Sequence, residues 1–178
     1  MGLILLAHWM AYYTGIGANM KRMIDTETFL AQCRERLNAG ETVPLVVTGG
    51  SMTPFLVHKR DAVLLSKIDA PVRRGDIILY TRAPGLLILH RACHIKPEGV
   101  YFAGDAQTRL EGPVAQERMV ARAVAANRKG KQIAPGSFWW EFFRGFWRWV
   151  RPARPFFMGA YGKVHALAGH KHEQHRKQ

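Results

Sequence analysis

The chain has 178 residues, 48% of them hydrophobic and 22% charged, so it is long enough for one folded domain and too apolar to be disordered throughout. Its two cysteines, Cys33 and Cys93, are too far apart for a CxxC metal or redox motif. The formal net charge is +13, and residues 128–178 carry 11 Lys/Arg against two glutamates, so we expect attraction to polyanions to come from this tail.

The first residues form an uncharged, largely apolar run from Gly2 to Asn19. It falls short of the roughly 20 strongly apolar residues that a spanning helix needs. Lys21 and Arg22 follow the run, whereas a signal peptide carries its positive charge in front. We therefore expect residues 1–23 to be an interfacial or poorly ordered extension, with an integral single-span anchor as the alternative.

The middle of the chain predicts one helix followed by short strands. Asp25 to Asn38 has a helical apolar stripe, with Thr26 as an N-cap and Gly40 as the stop. Apolar or β-branched runs separated by Gly, Pro and charged turns then predict six or seven antiparallel strands, at 43–48, 62–68, 76–81, 86–95, 100–103 and 119–127. Residues 24–135 are thus predicted to be a compact, mainly β domain without βαβ units.

Residues 136–178 are predicted to form a basic, aromatic tail. In SFWWEFFRGFWRWVR, from Ser137 to Arg151, the charged residues share one side of a helix and aromatic residues fill the rest. This pattern is typical of an amphipathic helix at a membrane surface, and also of a helix that covers an open face of the β domain. Both interpretations stay open. We expect the His-rich end, GHKHEQHRKQ, to be solvated and not to hold a metal.

The stretch GGSMTPFL, residues 49–56, combines a turn-forming Gly-Gly pair with a serine. A serine hydroxyl needs a base to become a nucleophile, and His90, in the strand-like run LLILHRACHI, is the best candidate. His90 has two other interpretations: a hydrogen-bonded core histidine, or half of a metal site with His94, which is predicted on the same strand face.

Four blocks occur in order: GGSMTP at 49–54, RRGDIILY at 73–80, LILHRA at 87–92 and YFAGDAQ at 101–107. Together they resemble the signal peptidase family of serine endopeptidases, in the branch that uses histidine where most bacterial members use lysine. The resemblance covers residues 43–127. It implies the signal peptidase/LexA-like β fold, with Ser51 as nucleophile and His90 as general base.

The resemblance also implies a carboxylate that orients the imidazole, for which Asp105, in the Gly-Asp block, is the first candidate and Glu111 the second. A turn cap is the alternative role for Asp105, and Asp76 is expected to be only a turn residue of the scaffold. Two features depart from the family. Gly49 stands where most members have a small hydroxyl residue that binds the oxyanion, and Thr48 is one place too early for that role. The N-terminal anchor is also not clear, and the aromatic, basic helix is expected to replace it at an anionic membrane.

The resulting hypothesis is a serine endopeptidase that cuts signal, leader or precursor peptides after small residues such as Ala-x-Ala. We expect it to need no cofactor or metal, to lie peripherally on the cytoplasmic face of a membrane, and to have no nucleic acid partner. One alternative is a LexA-type self-cleaving regulator, although those proteins use a lysine base. Another is a non-catalytic relative that binds lipid or nucleic acid.

Overall fold

A computed structural model of the chain describes residues 26–83 and 86–161. The N-terminal run at 2–19 and the His-rich end lie outside the described residues. One helix, α1 (Thr26–Asn38), precedes eight strands: β1 (Val43–Val46), β2 (Ala62–Ser66), β3 (Ile77–Ala83), β4 (Leu86–Lys96), β5 (Gly99–Ala103), β6 (Glu111–Val114), β7 (Met119–Arg128) and β8 (Lys131–Ile133).

The strands form one antiparallel sheet in the order β1-β2-β7-β3-β4-β5-β6, with β8 paired to β7. The predicted mainly β class, with a helix at each end of the sheet sequence, is confirmed. The six predicted runs correspond to β1–β5 and β7, while β6 and β8 were not predicted. In β6 the strand holds Gly112 and Pro113, residues that normally argue against a strand, and β8 has only three residues.

The main core lies between the sheet and both helical regions. Helix α1 contributes buried Cys33 and Leu37, which follow the predicted apolar stripe. A smaller cluster, formed by β3, β4, β5 and β6, contains Tyr80 and Phe102, whose rings stack with centroids 4.7 Å apart. This second cluster adjoins the site described below.

The aromatic tail is helical but not continuous. It forms α2 (Phe138–Arg144) and α3 (Phe146–Trp149), separated at Gly145, followed by a 3₁₀ turn at Arg151–Ala153 and a helical stretch at 154–161. The break arises because Gly145 adopts φ −100° and ψ −86°, outside the helical region. We call residues 138–161 the C-terminal segment.

One side of the C-terminal segment packs into the main core, where Trp140, Phe143 and Trp147 are buried. Its other side leaves large aromatic residues in solvent, with Trp149 84% and Phe156 77% exposed. The interpretation as a helix that covers the β domain is confirmed for the buried side, and the membrane-surface interpretation stays a prediction for the exposed side. Within 26–83 and 86–161, no helix combines the length and apolar character required to cross a membrane.

Candidate functional site

Ser51 lies in a turn just after β1. Gly49 takes a positive φ of +83°, and its N–H donates to His58 Nδ1 at 2.8 Å. Thr53 N–H then bonds the Gly50 carbonyl at 3.1 Å, while Met52 is buried beneath. The Gly-Gly pair thus works as the sequence predicts, and it leaves Ser51 half-buried at the surface of the core.

His90 lies in the sheet, on β4 opposite Ile78 of β3. Its side chain is 2% exposed, and its Nδ1 is 3.3 Å from the Tyr80 hydroxyl and 3.9 Å from Glu111 Oε2. Burial lowers the pKa of His90 to about 4. The imidazole is therefore neutral near pH 7, which is the form that accepts a proton.

Glu111 is held beside this histidine by Arg82, which bonds both carboxylate oxygens. That bonding lowers the pKa of Glu111, so the carboxylate is ionised. Burial raises the pKa of Tyr80, so its hydroxyl keeps its proton.

The proton of neutral His90 can lie on Nδ1 or on Nε2, and the Tyr80 oxygen accepts or donates accordingly. A nearby anion favours a proton on Nδ1, the nitrogen that faces it, with the Tyr80 oxygen accepting from Nδ1–H. Nε2 then keeps the free lone pair. Glu111, His90 and the Tyr80 hydroxyl thus lie together, and the carboxylate and imidazole are arranged like the same two groups of a catalytic triad.

Ser51 and His90 line the same cavity, which has a volume of about 380 Å³. One wall is chain 45–48 at the end of β1, and the other is 87–90 on β4. In the described part of the chain, β1 pairs only with β2, and β4 pairs with β5 only from Arg91 onward. Both walls therefore present unpaired strand edges, and the floor between them is apolar, with Phe29, Met52 and Leu79. Such edges accept an extended peptide by main-chain hydrogen bonds.

No hydrogen bond joins Ser51 to His90 within the described residues. Catalytic hydrogen bonds are often long in an unliganded enzyme and shorten when substrate binds. The cavity brings together the predicted nucleophile and the predicted base without a direct hydrogen bond between them.

Asp105 occupies a different position from Glu111. It is fully buried, and its carboxylate accepts two hydrogen bonds from Arg91, at 2.9 Å from Nε and 2.8 Å from Nη2. Arg91 also donates to the Gly75 carbonyl at 3.0 Å. Three of the four sequence blocks meet at this ion pair, and Glu111 is the carboxylate that lies beside His90.

The fourth block joins them through the loop at 104–107. Ala106 N–H donates to the Ser51 carbonyl at 2.8 Å, and this hydrogen bond joins the loop to the turn that contains Ser51. Asp76 behaves as a turn residue, since its carboxylate accepts Arg73 N–H at 2.9 Å and pairs with Arg122.

Candidate oxyanion donors follow from the same turn. Gly49 N–H is occupied by His58, whereas Ser51 N–H has no hydrogen-bond partner among the described residues. Thr48 lines the cavity together with Ser51 and His90, so its hydroxyl is a candidate side-chain donor.

Sequence reasoning gave no role to Tyr80 and Arg82. The sequence did contain a signal for them: Ile78, Tyr80 and Arg82 are alternate residues of β3, the strand that begins within the RRGDIILY block. Using it required the register that sets Ile78 opposite His90. His94, by contrast, lies near Arg151 and Arg74; burial and these cations lower its pKa. Across the described ranges no three His, Cys, Asp or Glu side chains are grouped to hold a metal.

Comparison of the chain with protein-family models and with curated proteins finds no match to either.

Proposed function

We propose that the protein is a serine endopeptidase in which Ser51 attacks the scissile carbonyl of a peptide and His90 is the general base. The observation that carries the proposal is the shared cavity: Ser51 and His90 are both among the residues that line it, between two unpaired strand edges. The resemblance of four ordered sequence blocks to signal peptidases supports the same roles.

The proposed reaction uses one proton twice. His90 Nε2 takes the proton of Ser51 Oγ as the oxygen adds to the carbonyl carbon, and then passes it to the leaving amine as the C–N bond breaks. Water hydrolyses the resulting ester, with His90 accepting a proton from water and returning it to Ser51. Glu111 stabilises the imidazolium that forms at each stage, because its carboxylate lies 3.9 Å from Nδ1.

The substrate class follows from the edges of the cavity and from the family resemblance. An extended peptide between chain 45–48 and chain 87–90 takes main-chain hydrogen bonds from both sides. We expect signal, leader or precursor peptides with small residues before the cut, as in the family. Cleavage of such a peptide by Ser51 and His90 needs no cofactor or metal.

We further propose that the enzyme acts at an anionic membrane surface to which it binds peripherally. Exposed Phe138, Phe146, Trp149 and Phe156 extend along the C-terminal segment, which also carries three partly exposed arginines, Arg144, Arg148 and Arg151. Aromatic side chains insert at the headgroup level, and each nearby basic residue adds on the order of 1 kcal/mol. Anionic lipid is typical of the cytoplasmic leaflet, so we expect the protein there.

Peptide cleavage followed by mass spectrometry tests the enzyme proposal. Wild type, Ser51→Ala and His90→Ala are compared on Ala-x-Ala peptides, with and without anionic vesicles. Ser66→Ala and His94→Ala are matched controls outside the cavity lining. We expect wild type and both controls to cut after the small residue, and the two site variants to lose activity by at least about 10³-fold.

Two results would contradict the proposal. If Ser51→Ala cuts as fast as wild type, Ser51 is not the nucleophile. If wild type is inert over a broad peptide set yet binds vesicles, the exposed aromatic face points instead to the non-catalytic, lipid-binding alternative.

A further inference from the structure

The loop at 104–107 forms the back of the nucleophile turn. Ala106 N–H bonds the Ser51 carbonyl at 2.8 Å. Gly104 packs so closely that a Cβ placed there would collide with the Ser51 carbonyl oxygen and lie 2.9 Å from Ser51 Cβ. The backbone of Ser51 therefore moves only if this loop moves with it.

The C-terminal segment holds the loop from behind. Arg154 Nη1 donates to the carbonyls of Gly104 at 2.8 Å and Gln107 at 2.6 Å. Trp147 Nε1 donates to the carbonyl of Asp105 at 2.8 Å, and Arg154 Nη2 returns to the Trp147 carbonyl at 3.1 Å. Three hydrogen bonds thus join the segment to the loop, and the Ala106 hydrogen bond joins the loop to the Ser51 turn.

Arg154 is a costly residue to place there. It is 1% exposed, and within the described residues its guanidinium bonds carbonyl oxygens and no carboxylate. Burying a charge without an opposite charge bonded to it is unfavourable, and this burial lowers the pKa of Arg154. A neutral apolar residue would fill the space at lower cost, but it would leave the loop carbonyls without donors.

We propose that Arg154 and Trp147 are positioning residues that fix the Ser51 hydroxyl for acylation by fixing the loop behind it. This inference rests on the proposed function. Displacing a nucleophile by about 1 Å costs on the order of 100-fold in rate, so small shifts of the loop are enough to matter. Neither residue lines the cavity, so substrate binding itself does not depend on them.

Trp147→Phe is the mildest test, because it removes the Nε1–H donor and keeps an aromatic ring in the core. Trp139→Phe, assayed like Trp147→Phe without vesicles, is the matched control, since Trp139 is 49% exposed and its indole makes no hydrogen bond among the described residues. We expect Trp147→Phe to lower kcat about 5- to 10-fold with KM unchanged, as the loss of one buried hydrogen bond implies. The control should keep wild-type kcat and KM.

Arg154→Lys and Arg154→Met form a second pair, with Arg34→Met, a change at an exposed arginine of α1, as control. Lysine can still donate to the loop carbonyls, so it should retain more kcat than methionine does. Thermal unfolding identifies any variant that fails to fold. Trp147→Phe then still decides the question.

Hydrogen exchange over 49–53 and 104–107 gives a readout that does not need activity. Faster exchange in both stretches for Trp147→Phe, with lower kcat, supports the inference. Normal kcat in folded Trp147→Phe and Arg154→Met overturns it, as does lower kcat with exchange unchanged. If wild type cleaves no peptide, the proposed function is wrong and the catalytic part of this inference is wrong with it, whereas exchange alone then reports whether the mechanical link exists.

Discussion

His90 and Ser51 face the same cavity, but the chain positions them by different means. His90 belongs to a β-hairpin, where the pairing of β3 with β4 sets it opposite Ile78 and beside Tyr80, ten residues away in sequence. Ser51 lies in a turn outside the sheet. Its contacts come from the loop at 104–107 and, behind that loop, from Trp147 and Arg154.

The difference teaches which kinds of change affect each half of the site. His90 is positioned by local strand register, so changes around it should alter its protonation and leave Ser51 in place. Ser51 is positioned by contacts with residues distant in sequence, so changes in the loop or the C-terminal segment should displace it and leave His90 in place.

The largest effect is expected from Gly104→Ala. The added methyl group meets backbone and Cβ atoms of Ser51, which have no flexible end to move aside. We expect kcat to fall roughly 100-fold, because Ser51 must shift away from its position for attack. The measurement is single-turnover cleavage of an Ala-x-Ala peptide.

Gly159→Ala is the control for this change, since a Cβ there meets nothing within 4 Å. Comparable kcat in the two variants would mean that the loop does not fix the serine. The comparison between the two halves of the site would then be wrong.

The sequence predicted much of this fold because the signals are local. Helix α1 and six of the eight strands follow from apolar periodicity and turn residues. The four ordered blocks also predicted roles for Ser51 and His90, which the structure places at one cavity. The rest depends on distant contacts: Arg154, in RPARP, has the pattern of a solvated basic residue until the fold buries it. The choice between Asp105 and Glu111 likewise required knowing that Arg91 binds Asp105.

An intermediate effect is expected from Tyr80→Phe, which affects only the base. The variant keeps the ring that stacks on Phe102 and removes the hydroxyl 3.3 Å from His90 Nδ1. We expect kcat to fall about 10-fold, since the imidazole loses a group that holds its orientation. Steady-state cleavage of the same peptide measures it.

Tyr101→Phe serves as the control, because the Tyr101 hydroxyl bonds Glu98 at an exposed position. Exchange over 49–53 should stay at the wild-type rate in Tyr80→Phe, unlike in Gly104→Ala. Faster exchange in that turn would show that the positions of His90 and Ser51 are coupled and not independent.

The smallest effect at neutral pH is expected from Glu111→Gln, and it should appear in the pH profile. Because burial lowers the pKa of His90 to about 4, kcat/KM of wild type should be constant near neutrality and fall as pH drops through about 4. The Glu111 charge raises the pKa of His90, and Arg82 lowers it. Glu111→Gln removes the first influence and keeps the second, so the acid limb should move to lower pH.

The pH profile must be corrected for unfolding at low pH, and two outcomes would contradict the prediction. In the unfolded chain His90 takes up a proton near pH 6.5, whereas in the folded protein its pKa is about 4. Folding stability therefore falls as pH drops from 6.5 to about 4, so the folded fraction must be measured alongside the rate. A limb near 6.5 in folded wild type would mean that His90 is solvated in the working enzyme. A limb unmoved by Glu111→Gln would remove Glu111 from the base half of the site, leaving Tyr80 as the group that holds His90.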